Sequence, residues 1–148
     1  MEKLLHIASE KETERIGEAI GQAAEPGTVV ALIGDLGTGK TTLTKSIARG
    51  LGVTETVTSP TFNIIREYKT GRIPLYHFDV YRIGDPDEMF ELGYEEYFYG
   101  DGICVVEWAD IIEDLLPEDA VIIRIERGAD EEEREYRIES EDGKLCIF

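Results

Sequence analysis

The sequence predicts a single α/β domain built on one mixed, mainly parallel sheet, with helices on both faces and antiparallel strands toward the C-terminus. Three observations carry this. Continuous apolar runs at residues 28–33 and 103–106 read as strands buried on both faces, as in a parallel sheet. Stretches with helical spacing alternate with them. The tail from Ala120 onward changes to a period of two with hairpin spacing, which adds antiparallel strands.

The elements follow in order. Leu4, Leu5 and Ile7 make a short first strand. Ser9 offers an N-cap, and Glu12 three residues on closes a capping box. The helix that follows carries Ile16, Ile20 and Ala23 on one face and stops at Pro26-Gly27. After the strand at 28–33, a Gly-rich turn leads into a helix from Lys40 to about Leu51. Residues 64–68 and 73–78 read as two strands around a turn at 69–72. A helix is expected over 85–92, with Pro86 in its first turn. The buried strand at 103–106 precedes a helix over 109–116, stopped by Pro117. Strands at 120–126, 136–138 and 145–148 complete the chain.

The length of 148 residues suits one domain, and 42% hydrophobic residues suits a folded one. No linker or repeat divides it. Fifteen Lys and Arg against 32 Asp and Glu give a net charge of -17. Such a surface repels a phosphate backbone, so any RNA in this protein's biology is held by a partner. The acidic runs at 130–133 and 139–142 read as solvated loops. Residues 1–9 do not read as a signal peptide, and no apolar run is long enough to span a bilayer. Cys104 and Cys146 lack metal or redox spacing and read as core thiols, so the expected compartment is the reducing cytoplasm.

The turn after the first buried strand, Gly34-Asp35-Leu36-Gly37-Thr38-Gly39-Lys40-Thr41, fits G-x-x-x-x-G-K-[ST] at every fixed position. Its strand-loop-helix setting is the one the phosphate-binding P-loop requires. Glycines let successive N–H groups converge on phosphates, and the helix N-terminus adds its dipole. Lys40 is expected to reach the β- and γ-phosphates, Thr41 to ligate Mg2+, and Thr42 to cap the α-phosphate. The domain is therefore P-loop NTPase-like. A second acid is needed for the metal, and two strand ends offer one. Glu107 follows four apolar residues in a Walker B pattern; Asp79 ends another strand. The more apolar strand favours Glu107 as the metal acid, leaving Asp79 to orient or deprotonate the attacking water. Thr58-Ser59-Pro60-Thr61-Phe62 is either a turn or a γ-phosphate sensor. Trp108 either fills the core or lies over the nucleotide.

Residues 34–42, Ser59-Pro60-Thr61-Phe62, His77-Phe78-Asp79-Val80-Tyr81-Arg82, residues 92–98 and Glu107-Trp108-Ala109 together resemble the TsaE (YjeE) family over nearly the whole chain. The one departure in the P-loop is Thr38, where the family commonly carries Ala. The resemblance implies a weak Mg2+-dependent ATPase of tRNA threonylcarbamoyladenosine formation. It implies the TsaB–TsaD complex as partner, with tRNA contacted only through that complex. It also implies Lys40 and Thr41 on phosphate and metal, Glu107 as the metal-linked acid, Asp79 as the catalytic carboxylate and Thr61 as the γ-phosphate sensor. Glu10, Thr13 and Arg134 match family positions near the nucleotide. The missing guanine-reading motif and the family both point to ATP. Two other classes compete: a small kinase, which the lack of Arg or Lys over 85–118 disfavours, and a nucleotide-gated binding module without meaningful turnover.

Overall fold

A computed structural model describes residues 2–35, 38–60 and 64–140. Leu36, Gly37, Thr61, Cys146 and the strand expected at 145–148 lie outside the described residues. The chain runs β1 (Glu2–Ile7), α1 (Glu10–Ala23), β2 (Val29–Ile33), α2 (Lys40–Leu51), β3 (Ile65–Tyr68), β4 (Leu75–Asp79), α3 (Asp87–Glu91), α4 (Tyr94–Phe98), β5 (Ile103–Glu107), a 3-10 segment (Ala109–Leu115), β6 (Val121–Arg127) and β7 (Arg134–Glu139).

All seven strands join one sheet in the order β1-β7-β6-β2-β5-β4-β3. The four central strands β6, β2, β5 and β4 are parallel. The tail adds β7 antiparallel to β6, as expected, and β1 then pairs antiparallel with β7. At the other edge the β3–β4 hairpin is also antiparallel, so parallel pairing is confined to the centre. The parallel strands end at one edge, where ligands bind in open α/β sheets.

Side-chain alternation along the central strands divides the core in two. Val30, Leu32, Leu75, Ile103 and Val105 meet Ile16 and Ile20 of α1 and Leu43 and Ile47 of α2. Val29, Ala31, Phe78, Cys104 and Val106 meet Met89, Phe98 and Ile112 from the shorter helices. Each such large side chain contributes on the order of 1.5–3 kcal/mol by leaving water. Cys104 is the core thiol expected: burial pushes its pKa up, and its Sγ donates to the Tyr97 carbonyl at 3.2 Å.

Helices α1 and α2 touch through glycines. A Cβ on Gly21 would sit 2.2 Å from the Ile47 carbonyl oxygen, and one on Gly50 2.2 Å from that of Glu18. This close approach joins the second halves of the two helices, while their starts share the lining of one cleft through Glu10, Thr13 and Thr42.

Several local expectations change. Ser9 caps α1 by accepting from the Glu12 N–H at 3.4 Å, but the Glu12 carboxylate accepts from Ala8 N at 3.1 Å, one residue earlier than a capping box requires. Ala23 is exposed and Ala24 is buried in its place, because the buried stripe runs Thr13, Ile16, Gly17, Ile20, Gly21 and on to position 24. The helix expected over 85–92 is the five-residue α3; Gly93, at φ 68°, ends it and starts α4, which the sequence reading lacks. The helix expected over 109–116 is a 3-10 segment kinked at Ile112. Asp130, Glu131 and Glu132 are exposed as expected, whereas Glu139 lies at the end of β7 and pairs with Arg124 at 3.7 Å. No helix among the described residues is long and apolar enough to cross a membrane.

Candidate active site

The carboxyl end of β2 feeds the Gly-rich loop, and α2 begins at Lys40. Gly39, at φ 95°, takes a left-handed conformation that favours glycine, and it offers α2 no side-chain cap. The first N–H groups of a helix have no partner within it, and α2, twelve residues long, begins with no side-chain cap on them. Thr38 is 2% exposed, and its hydroxyl donates across the loop to the Asp35 carbonyl at 2.8 Å.

Lys40 is buried, and its ammonium donates to the carbonyls of Gly34 at 2.6 Å and Asp35 at 2.8 Å. It also sits 4.1 Å from the centre of the Trp108 ring. Burial lowers its pKa, against the opposing pull of Glu107, Asp35, Asp79 and Asp110. Trp108 itself has φ 62°, the one non-glycine residue at positive φ among the described residues. Its half-buried ring lies beside Tyr81, with centroids 4.8 Å apart; it packs against the second core cluster and also lines the cleft.

The two acids stand together. Strand alternation puts Val105 and Glu107 of β5, and Leu75, His77 and Asp79 of β4, in rows facing α2. Glu107 is 3% exposed, and its Oε1 accepts from the Thr41 hydroxyl at 3.3 Å. The Thr41 hydroxyl is also 3.2 Å from that of Ser59. Asp79 is half-buried, and its Oδ1 accepts from the Tyr81 N–H at 3.1 Å. Burial raises the Asp79 pKa, the Tyr81 hydrogen bond opposes this, and the Glu107 charge raises it further.

Gly39, Lys40, Thr41, Thr42, Asp79 and Glu107 line a cleft of about 510 Å³ together with Ser59, Trp108 and Arg134. A second cleft of about 280 Å³ shares Gly39, Thr42 and Arg134 with the first and adds Glu10, Thr13, Thr38, Glu131 and Glu132. Arg134 thus sits at the junction, its Nε donating to the Thr38 carbonyl at 3.0 Å. Thr13 reaches this cleft while its hydroxyl is shared with the Tyr136 hydroxyl at 3.1 Å. Glu10, Thr13, Thr38, Gly39, Lys40, Thr41, Thr42, Asp79, Glu107, Trp108 and Arg134 therefore line two joined clefts, whereas Gly34, Asp35, Thr58 and Pro60 line neither.

The family model described as "Threonylcarbamoyl adenosine biosynthesis protein TsaE" matches residues 7–136, a span containing every residue of both clefts. The chain belongs to the TsaE family. The tRNA threonylcarbamoyladenosine biosynthesis protein TsaE of Bacillus subtilis (strain 168) is 52% identical over 122 residues, which are 82% of this chain and 76% of that one. Its counterpart in Treponema pallidum (strain Nichols) is 43% identical over 122 residues, 82% and 90% of the two chains. The crystal structure of Bacillus subtilis YdiB superposes with a TM-score of 0.84 at 42% identity, covering 99% of this chain and 92% of that one.

In this TsaE-family chain the two most specific sequence segments converge on the P-loop. The first supplies His77 and Asp79, the second Glu107 and Trp108. Two contacts escaped the sequence reading. Ser59 belongs to a segment read only as a whole, and its hydroxyl lies 3.2 Å from that of Thr41. His77 was noted only within its motif; its place two residues before Asp79, on the same strand face, was the available signal.

Proposed function

We propose that this chain is a weak Mg2+-dependent ATPase that serves tRNA threonylcarbamoyladenosine formation in the cytoplasm by acting on the TsaB–TsaD complex. The observation that carries the reading is the hydrogen bond from Thr41 to Glu107 beside Lys40, with Asp79 in register with Glu107 on the next strand. A P-loop hydroxyl and a strand-end carboxylate are hard oxygen donors of the kind magnesium takes.

The residues divide the work as follows. The α2 N-terminus and Lys40 bind the phosphates; to do so Lys40 exchanges its present carbonyl partners for phosphate oxygens. Thr41 and Glu107 would hold the metal, whose charge would stabilise the phosphate oxygens. Asp79, half-buried in the cleft lining, orients the attacking water and accepts its proton; its raised pKa makes it a better base than an ordinary aspartate. Arg134 and Thr13 flank the second cleft, which is given to the nucleoside end.

The partner is assigned from the family and the charge. A net charge of -17 disfavours direct contact with tRNA and suits a protein complex as the object of the switch. The test is reconstitution with TsaB, TsaD, threonylcarbamoyl-adenylate and tRNA. Repeated turnover should require this chain and ATP, and Lys40→Ala should not support it. Modification indifferent to the chain, or equally supported by Lys40→Ala, would refute the ATP-driven role. Tight, salt-sensitive binding of free tRNA would refute the protein-contact part.

A further inference from the structure

His77 is wholly buried in the middle of β4, flanked along the strand by Tyr76 and Phe78 and paired with Val105 on β5 and Arg66 on β3; burial of an imidazole is costly unless it is hydrogen-bonded. Its Nε2 lies 2.5 Å from Glu107 Oε2, and its Nδ1 has no hydrogen-bond partner among the described residues. A buried polar atom left without a partner needs a reason. The reason lies across the strand boundary. His77 is the register partner of Val105, so Glu107 is its diagonal neighbour on the face toward α2. With Oε2 occupied by His77, the carboxylate is turned so that Oε1 meets the Thr41 hydroxyl at 3.3 Å.

We infer that His77 is a positioning residue: its Nε2–H fixes the rotamer of Glu107 and so aims Oε1 at the place beside Thr41 where the metal is held. This rests on the proposed function, in which Glu107 is the metal acid. A carboxylate at the end of a strand has rotamer freedom, and a donor behind it removes that freedom before any ligand arrives. The same logic orients metal ligands through their outer hydrogen bonds in general, where loss of the outer partner costs about 10–100-fold in affinity. The unpartnered Nδ1 fits this role, since only the Nε2 side of the ring reaches Glu107.

The test uses the full-length chain and calorimetric binding of ATP with and without Mg2+, reading the ratio of the two affinities. The amide of Gln places a donor near the position of Nε2; that of Asn is too short, and Leu has none. His77→Gln should keep the Mg2+ ratio within about twofold of wild type, while His77→Asn and His77→Leu should lower it about tenfold. Binding without Mg2+ should stay near wild type in all three, because the P-loop and Lys40 are untouched, and this also reports that each variant is folded. A ratio unchanged in both Asn and Leu variants overturns the inference, as does a Gln variant that falls as far as Leu. Glu107→Ala is measured alongside. If it lowers the ratio while the His77 variants do not, the positioning role alone fails; if it leaves the ratio intact, the metal role of Glu107 fails and the inference with it.

Discussion

Asp79 and Glu107 are register partners at the carboxyl ends of β4 and β5, so two carboxylates stand side by side at the mouth of the P-loop. Their surroundings differ. Glu107 is buried and engaged on both oxygens, by Thr41 and His77, whereas Asp79 is half-buried and engaged by one backbone N–H. A carboxylate held on both sides suits a fixed ligand; one with a free edge and a raised pKa suits proton transfer.

That difference predicts separable phenotypes. Glu107→Ala should remove most of the Mg2+ dependence of ATP binding. Asp79→Asn should keep that dependence while lowering hydrolysis by about a hundredfold or more, the range for loss of a positioned acid–base group. Both properties are to be measured on both variants. Reversed phenotypes would mean that the two acids exchange roles.

Lys40 gives a second prediction. Its ammonium is the basic group that the loop itself carries, and it already faces the cleft. Lys40→Ala should weaken ATP binding at least about tenfold, or about 1.4 kcal/mol. Equal affinities for variant and wild type in calorimetry would remove the P-loop assignment.

Much of this arrangement is legible in the sequence because it is local. The strand, the glycines, Lys40 and Thr41 are consecutive, and an apolar run ending in Glu107 marks its own strand. What was not legible depends on contacts between distant segments. The direction in which Trp108 points follows from its left-handed backbone, which no propensity assigns to tryptophan. Helix α4 is five residues long and begins from a left-handed Gly93 with no side-chain cap, so neither length nor a capping residue announces it. The His77–Glu107 contact needs the pairing of β4 with β5, which alternation within one strand does not supply.

The glycine contact between α1 and α2 gives a third prediction. A methyl group on Gly21 would meet the Ile47 carbonyl oxygen at 2.2 Å and the Gly50 Cα at 2.9 Å, both backbone atoms of α2. The helices must move apart, at a cost of about 1–3 kcal/mol for overpacking, which outweighs the better helix propensity of Ala, worth up to about 1 kcal/mol. Gly21→Ala should therefore lower the urea midpoint. It should also weaken nucleotide binding, because α1 carries Thr13 and Glu10 to the second cleft. A variant with unchanged midpoint and affinity would show that the close approach does not matter.

The last prediction concerns Asp79 in the folding equilibrium of the nucleotide-free chain. Burial holds its pKa above the ordinary value of 3.8, with the Glu107 charge acting in the same direction. Between 3.8 and the raised value, the folded chain keeps a proton that the unfolded chain has released. Stability therefore falls as pH rises through that interval, and the full cost is present at neutral pH. Below the unfolded value both states are protonated and the cost is gone. Asn cannot ionise, yet its Oδ1 can still accept from the Tyr81 N–H. Asp79→Asn should accordingly melt higher than wild type at neutral pH, with the gap closing as the solution is acidified below the pKa of the unfolded carboxyl. Because the remaining titrating groups are common to both chains, their contributions largely cancel in the difference. Thermal melts over a pH series decide it. An Asn variant less stable than wild type at neutral pH, or a gap that does not vary with pH, would show that Asp79 bears no such cost. It would also remove the physical ground for assigning it the proton.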